Sequence, residues 1–315
     1  MGKVFNLPRA WEQSLHMSSG GQEQAIQRAD VVHAATRFLP PPLLLLLSIL
    51  SVQLGAAIAK SLFHTLSFEG IVFLRVGFAA IIYLVMARPR LRGYTWRNYL
   101  VVVLFGLVIA GMNTLYYASI SRIPLGVATT LEFVGPLGVS LFGSRRLIDL
   151  LWVVLAAAGI VLLAPIGGGA ALDPLGVVLA LSAGAGWAAY ILVNVRVGQA
   201  FPGTVGLALS MSVAAIVLAP FDAGYLFPLV NNPVVLLLGL GVAILSTVIP
   251  FALELEALRR ISARVFGILM SLEPAVSALV GLIVLGEIVS LRALIAMGLI
   301  IVASCGVSFA QNNHK

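Results

Sequence analysis

Charge is what this chain has least of. Asp, Glu, Lys and Arg make up 10% of its 315 residues, against about 25% in a soluble globular domain. With 60% hydrophobic residues and a mean hydropathy of +1.07, that shortage excludes a soluble domain and defines a polytopic membrane protein. Cysteine is nearly missing as well. Cys305 stands alone, which rules out an intrachain disulfide and leaves no thiolate set for zinc or an iron–sulfur cluster. The four histidines, His16, His33, His64 and His314, fall in the N-terminal tail, one loop and the C-terminus, so neither a metal site nor histidine chemistry is expected inside the membrane. No GxxxxGKS/T loop occurs, which removes direct drive by ATP. Ser210 and Ser212 have no histidine partner for a triad, and no loop is long enough to hold a soluble catalytic domain. We therefore expect no enzyme activity and no cofactor. Residues 1–37 lack the apolar core and small-residue cleavage site of a signal peptide and are expected to form a mobile cytosolic tail. Residues 311–315 form a second, short cytosolic tail.

What the chain has in excess is apolar runs. Ten stretches approach the ~20 residues that cross a bilayer: 40–60, 69–87, 99–117, 124–142, 149–166, 174–195, 203–220, 234–256, 264–285 and 291–310. The net charge of +7 would point to nucleic acid in a soluble protein. Here the basic residues sit between spans, so topology accounts for them and no nucleic-acid partner is expected. With the N-terminus inside, fifteen of the nineteen Lys and Arg fall on the cytosolic side: Lys3, Arg9, Arg28, Arg37, Arg88, Arg90, Arg92, Arg97, Arg145, Arg146, Arg196, Arg259, Arg260, Arg264 and Lys315. Both termini are thus expected in the cytoplasm of a cell whose inner membrane holds the protein.

The chain also repeats itself. Residues 40–166 match 174–310 with an offset near 138, which places Pro136 on Pro274 and Ala118 on Ala257. Gln53 and Lys60, seven apart, fall on Trp187 and Asn194 at an offset of 134. Each half holds five spans, so the halves must lie oppositely in the bilayer. The loop charges agree, with four arginines between spans two and three and none between spans seven and eight. The expected fold is therefore an all-α membrane protein of ten transmembrane helices, built as two inverted five-helix repeats. Such repeats put a site near the midplane at the repeat interface.

One carboxylate stands out against this background. Glu132 sits inside an apolar span, where an ionisable side chain costs about 2.5–3.5 kcal/mol unless it faces a bundle interior or wet cavity. Pro136, four residues on, removes the hydrogen bond that would close on the Glu132 carbonyl. Glu273, beside Pro274, occupies the pseudo-equivalent span of the second half. Either carboxylate can bind an ammonium group or carry a proton, and competition between the two jobs would couple proton entry to substrate exit; a neutral acid hydrogen-bonded between helices is the plainer alternative. Arg75 and Lys60 are candidate partners for a substrate carboxylate, Arg75 the better because a guanidinium grips both oxygens, while Lys60 is equally suited to snorkelling at the interface. Asn113, Tyr116 and Tyr117 end the third span, and Trp187, Tyr190 and Asn194 run along one face of the sixth; these stripes suit a small hydroxylated zwitterion or an interfacial aromatic belt. Gln53 is a cavity donor or an interhelical hydrogen bond. Glu254 and Glu256 are expected in an ion-paired helix end with Arg259 and Arg260.

The segments GAAIAKSLF (55–63), GMNTLYYASI (111–120), PLGVATTLEFVGPLGVSLFGSRR (124–146), AGAGWAAYIL (183–192), AILSTVIPFALELEAL (243–258) and FGILMSLEPAVSAL (266–279) resemble the drug/metabolite transporter superfamily. That resemblance implies two tandem EamA-type halves, and more closely the bacterial threonine/homoserine exporter branch. It implies export of threonine, homoserine or similar small amino acids, with the proton-motive force as our expected drive and protons as the second partner. A broad exporter of amphiphilic or toxic metabolites and drugs is the alternative.

Overall fold

The computed structural model describes residues 38–64, 66–89, 91, 93–142, 147–163, 172–201, 204–222, 232–258, 260–261 and 269–310. The expected tails lie outside the described residues, as do Arg90, Arg92, Arg145, Arg146, Arg259 and Arg264. Among the described residues the chain is helical, with no strand. We number the helices α1 (Pro41–Ser61), α2 (Phe68–Ala87), α3 (Trp96–Ile120), α4 (Leu125–Glu132), α5 (Val134–Phe142), α6 (Leu147–Leu163), α7 (Pro174–Ala200), α8 (Val205–Leu218), α9 (Pro233–Ala243), α10 (Ile249–Leu258), α11 (Glu273–Leu285) and α12 (Leu291–Ala310). A π-helical segment, Ile244–Val248, joins α9 to α10.

Five helical stretches are long and apolar enough to cross a membrane: Pro41–His64, Phe68–Ala87, Trp96–Ile120, Pro174–Ala200 and Pro233–Glu254. Shorter apolar helices cover Leu125–Val139, Val205–Leu218, Glu273–Leu285 and Leu291–Ala303. Leu, Ile and Val side chains such as Ile81, Val85, Leu104, Leu107, Leu282 and Ile283 are exposed on the outside of the bundle. A surface of that kind suits lipid and would be a liability in water.

Local chemistry explains where the helices begin and break. Ser67, Asp173 and Asn232 cap α2, α7 and α9 by accepting hydrogen bonds from the free N–H groups of the first turn. The Arg122 guanidinium donates to Asp173 at 3.0 Å and is the main cause that holds this exposed carboxyl below the usual carboxylate range. The fourth apolar stretch is interrupted at Phe133, between α4 and α5, because Pro136 has no N–H to offer the Glu132 carbonyl. The eighth stretch widens into the π segment just before Pro250, whose missing N–H frees the Ser246 carbonyl in the same way.

Around the centre, α1 packs on α10 and α11, α3 on α7 and α8, α4 on α11 and α7, and α2 on α8 and α9. The elements from the first 142 residues thus pack chiefly against elements after residue 174.

Candidate functional site

A cavity of about 180 Å³ lies among α1, α2, α3, α4, α7, α8, the π segment, α10 and α11. Arg75 on α2 is the one basic side chain among the described residues that line it. The freed carbonyl explains how it is held. Arg75 donates from Nη2 to the Ser246 carbonyl at 3.1 Å and from Nε to Thr247 Oγ1 at 3.2 Å. Its guanidinium lies over the Tyr117 ring at 5.3 Å, a cation–π contact. Neighbouring acceptors on the same stretch are also occupied: Ser51 donates to the Leu245 carbonyl at 2.7 Å and Tyr83 to that of Thr247 at 3.4 Å. A guanidinium has five N–H donors. Two are spent on the π segment, and the remainder can meet a planar anion in the cavity.

Glu132 closes α4 where the helix breaks. It is 9% exposed, borders the cavity, and makes no hydrogen bond or ion pair with the described residues. Its backbone is fixed by a close approach of α7: a Cβ on Gly184 would stand 2.7 Å from the Glu132 carbonyl oxygen, and one on Gly135 would stand 1.9 Å from the Gly184 carbonyl. Only glycines fit at this crossing. Gly184→Val should therefore displace Glu132 and cut transport on the order of tenfold to a hundredfold, as small misplacements of a working group do. Gly138→Ala, with nothing within 4 Å of the added Cβ, should leave the rate near wild type in the same vesicle assay.

Glu273 opens α11 and meets α1. Gln53 Nε2 donates to Glu273 Oε1 at 3.1 Å, while Gln53 Oε1 and Glu273 Oε2 have no hydrogen-bond partner among the described residues. Tyr116 shares a hydrogen bond with Thr129 at 2.8 Å, and Thr129 with Ser277 at 2.8 Å, tying α3, α4 and α11 together beside the cavity.

Of the residues expected from sequence, Glu132, Glu273, Arg75, Gln53, Asn113, Trp187 and Tyr190 all border this one cavity. The Asn113 amide donates back to the Ile109 carbonyl of its own helix at 2.8 Å. Trp187 stands edge-on to Phe133 at 5.5 Å, and Tyr190 packs on Phe105 at 4.9 Å. Tyr116 and Tyr117 lie close to the C-terminal end of α3, which runs to Ile120, and both are buried, so neither forms part of an exposed aromatic belt. Tyr116 borders the cavity and Tyr117 backs Arg75. Asn194 is exposed and does not reach the cavity, being a full turn beyond Tyr190.

Lys60 is likewise outside the cavity lining. Its ammonium pairs with Glu287 Oε1 at 2.5 Å and donates to the Ile123 carbonyl at 2.7 Å. Glu287 Oε2 accepts the Leu125 N–H at 2.7 Å, capping α4 at its positive end. Gly286, at φ 65°, takes the left-handed turn that lets the Glu287 N–H close on the Gly281 carbonyl at 3.0 Å. Lys60 thus joins α1, the α3–α4 turn and the α11–α12 turn. Lys60→Ala leaves Glu287 without its cation and should cost about 2–3 kcal/mol, less than the ~3–5 for a fully buried pair because both side chains still touch solvent. A fall in the melting temperature of the detergent-solubilised protein measures this.

Glu254 corrects the sequence expectation. Glu256 does pair with Arg260, but Glu254 borders the cavity and accepts from Ser48 Oγ at 2.7 Å. The signal was present in the sequence: residues two apart on a helix do not share a face, and neither 257 nor 258 is basic. Ser246 and Thr247 were missed too, because the π segment that aims them has no marker in the sequence besides Pro250.

Comparison with known proteins shows which family the chain belongs to. Residues 174–309 match the EamA-like transporter family. The threonine/homoserine exporter RhtA of Salmonella typhimurium is 42% identical over 276 residues, covering 86% of this chain and 93% of that one. Its namesake from Escherichia coli K12 is also 42% identical, over 267 residues covering 84% of this chain and 90% of the other. A solved crystal structure shares the fold with a TM-score of 0.56 at 19% identity, covering 85% of this chain and 96% of that chain. The chain belongs to the EamA-like transporter family. It is a multi-pass membrane transporter and not an enzyme.

Proposed function

We propose that the protein is an inner-membrane secondary transporter that exports threonine, homoserine or a similar small amino acid, driven by the proton-motive force. The observation that carries this reading is one cavity bordered by Arg75, with donors to spare, and by Glu132, a carboxylate with no partner among the described residues. Arg75 takes the substrate carboxylate and Glu132 its ammonium group, while Trp187 and Tyr190 flank the side chain. The relatives named as threonine/homoserine exporters support that substrate class. The volume of about 180 Å³, below the ~300–1,000 Å³ of pockets for drug-sized ligands, favours a small zwitterion. Ten spans in two inverted halves, with both termini cytoplasmic and residues 1–37 and 311–315 as tails, complete the proposal. Glu132 and Glu273, from the spans read as pseudo-equivalent, border one cavity, which supports a site at the interface of two inverted halves.

A second reading, broad efflux of amphiphilic metabolites, is favoured by one feature: Met112, Met211 and Met270 line the same cavity, and methionine adapts to varied ligands. Purified protein in proteoliposomes distinguishes the two. Saturable exchange of labelled threonine, enhanced by an imposed proton gradient and not inhibited by bulky aromatic amines, is the expected result. Threonine-independent flux of such amines would replace the first reading by the second.

A further inference from the structure

Three carboxylates, Glu132, Glu254 and Glu273, border the cavity, and an amino acid has one ammonium group to offer them. Distance along the chain separates Glu254 from the zwitterion site. It stands seven residues beyond Thr247, the partner of Arg75, or about 10 Å along a helix at ~1.5 Å per residue. The two charges of an α-amino acid are attached to neighbouring carbons and cannot bridge that span. Glu254 is also at a different depth from the sealed end of the bundle. Its partner Ser48 is twelve residues from Lys60 on α1, about 18 Å by the same rise. At the Lys60 end Tyr117, Ile120 and Leu125 are completely buried, whereas Glu254 is four residues from the opposite terminus of α10.

No cation meets Glu254 among the described residues. From α1 it accepts from Ser48; the titratable groups that feel its charge are Glu273 on α11, Tyr83 on α2 and Tyr190 on α7. On its own helix Glu256 is occupied with Arg260. Three polar atoms on residues that line the cavity have no hydrogen-bond partner among the described residues: Gln53 Oε1, Glu273 Oε2 and Ser246 Oγ, on residues that are 1%, 7% and 3% exposed. Gln53 Oε1 and Glu273 Oε2 thus remain acceptors without a donor beside the Glu254 carboxylate, an arrangement that an added proton completes.

We infer that Glu254 carries the coupling proton of the export cycle, at a place separate from the ammonium site at Glu132. This rests on the proton-driven reading above. In one half-cycle a hydronium ion reaching the cavity gives its proton to a Glu254 oxygen and leaves as water, while the carboxyl continues to accept from Ser48. In the other half-cycle that bond ionises and the proton passes to water at the end of the bundle away from Lys60. No other bond changes and nothing is oxidised.

The test compares two assays on the same reconstituted protein: exchange of labelled threonine at equal pH, and threonine accumulation driven by a pH gradient. Glu254→Gln should keep exchange within about threefold of wild type and lower gradient-driven accumulation at least tenfold, with partial recovery in Glu254→Asp. Undiminished accumulation overturns the inference. So does equal loss of both activities in a variant with wild-type melting temperature, since Glu254 would then belong to the substrate site. Should Glu254→Gln fail to fold, Ser48→Ala, which removes one hydrogen bond, must shift the pH of half-maximal accumulation; an unchanged profile overturns the proposal. Wild-type protein that exchanges threonine but ignores the gradient would sink the proton-driven reading itself, a failure separate from that of Glu254.

Discussion

Replacing Glu132 by glutamine should abolish measurable threonine accumulation while leaving the protein at least as stable as wild type. The amide preserves size and can still accept one hydrogen bond, but it cannot balance an ammonium charge in a water-poor cavity. Losing one partner of a buried charge pair costs about 2–5 kcal/mol, or roughly thirtyfold to several thousandfold in affinity at 1.4 kcal/mol per decade. The effect should appear first in the half-saturating concentration for exchange. Stability should move the other way, because an unpaired carboxylate inside a span is a standing cost. Glu132 has no partner among the described residues to lose, so glutamine relieves that cost. Counterflow kinetics and a melting curve on one preparation decide the matter. A variant that transports normally would make Glu132 a packing residue, and the substrate site would have to be sought elsewhere.

Arg75→Lys should be nearly as harmful despite conserving charge. Arginine reaches the Ser246 carbonyl and the Thr247 hydroxyl through two different nitrogens, which orients the rest of the fork towards the cavity. An ammonium group has no such planar frame. It can satisfy the Ser246 carbonyl or the substrate, with little left to orient either. Forfeiting a two-point, charge-assisted grip at about 1.5–3 kcal/mol per bond predicts a loss on the order of a hundredfold in transport efficiency. Thr247→Val calibrates the claim. It removes one neutral acceptor from the far side of the guanidinium, and about 1 kcal/mol corresponds to a fall of roughly fivefold. Equal losses in Arg75→Lys and Thr247→Val would show that the fork is not what matters.

Much of this site was legible in the sequence because isolated polar groups inside apolar runs are costly and therefore informative. Glu132, Glu273, Arg75 and Gln53 announce themselves in that way, and each borders the cavity. Prolines carried a second layer of information: Pro136 marked the break after Glu132. What the sequence could not convey was which neighbour answers each freed backbone group. The Ser246 carbonyl, released by Pro250, is met by Arg75 from a helix 171 residues earlier in the chain, and no local pattern encodes that pairing. Lys60 illustrates the opposite difficulty. Its partner Glu287 lies in a turn beyond the apolar runs, where a carboxylate attracts no notice, so an interhelical tie looked from sequence like a ligand contact or a snorkelling lysine. Glu254 was misassigned because proximity in sequence to Arg259 and Arg260 outweighed the side of the helix it occupies.

Four of the polar ties in and near the cavity share one property: each joins an early residue to a late one. Gln53 waits for Glu273, Arg75 for Ser246, Ser48 for Glu254 and Lys60 for Glu287. A chain is made from its N-terminus, and its first segments reach the bilayer before the later ones exist. For the time it takes the ribosome to add about two hundred residues, α1 and α2 must therefore hold a lysine, an arginine and a glutamine without their eventual partners. A nascent chain halted after α6 would be left in that condition permanently, with its most expensive side chains unpaired. The interval between the making of a group and the arrival of its partner is thus a vulnerable stage in the life of each molecule, and a message cut short there yields a product with every physical reason to be degraded.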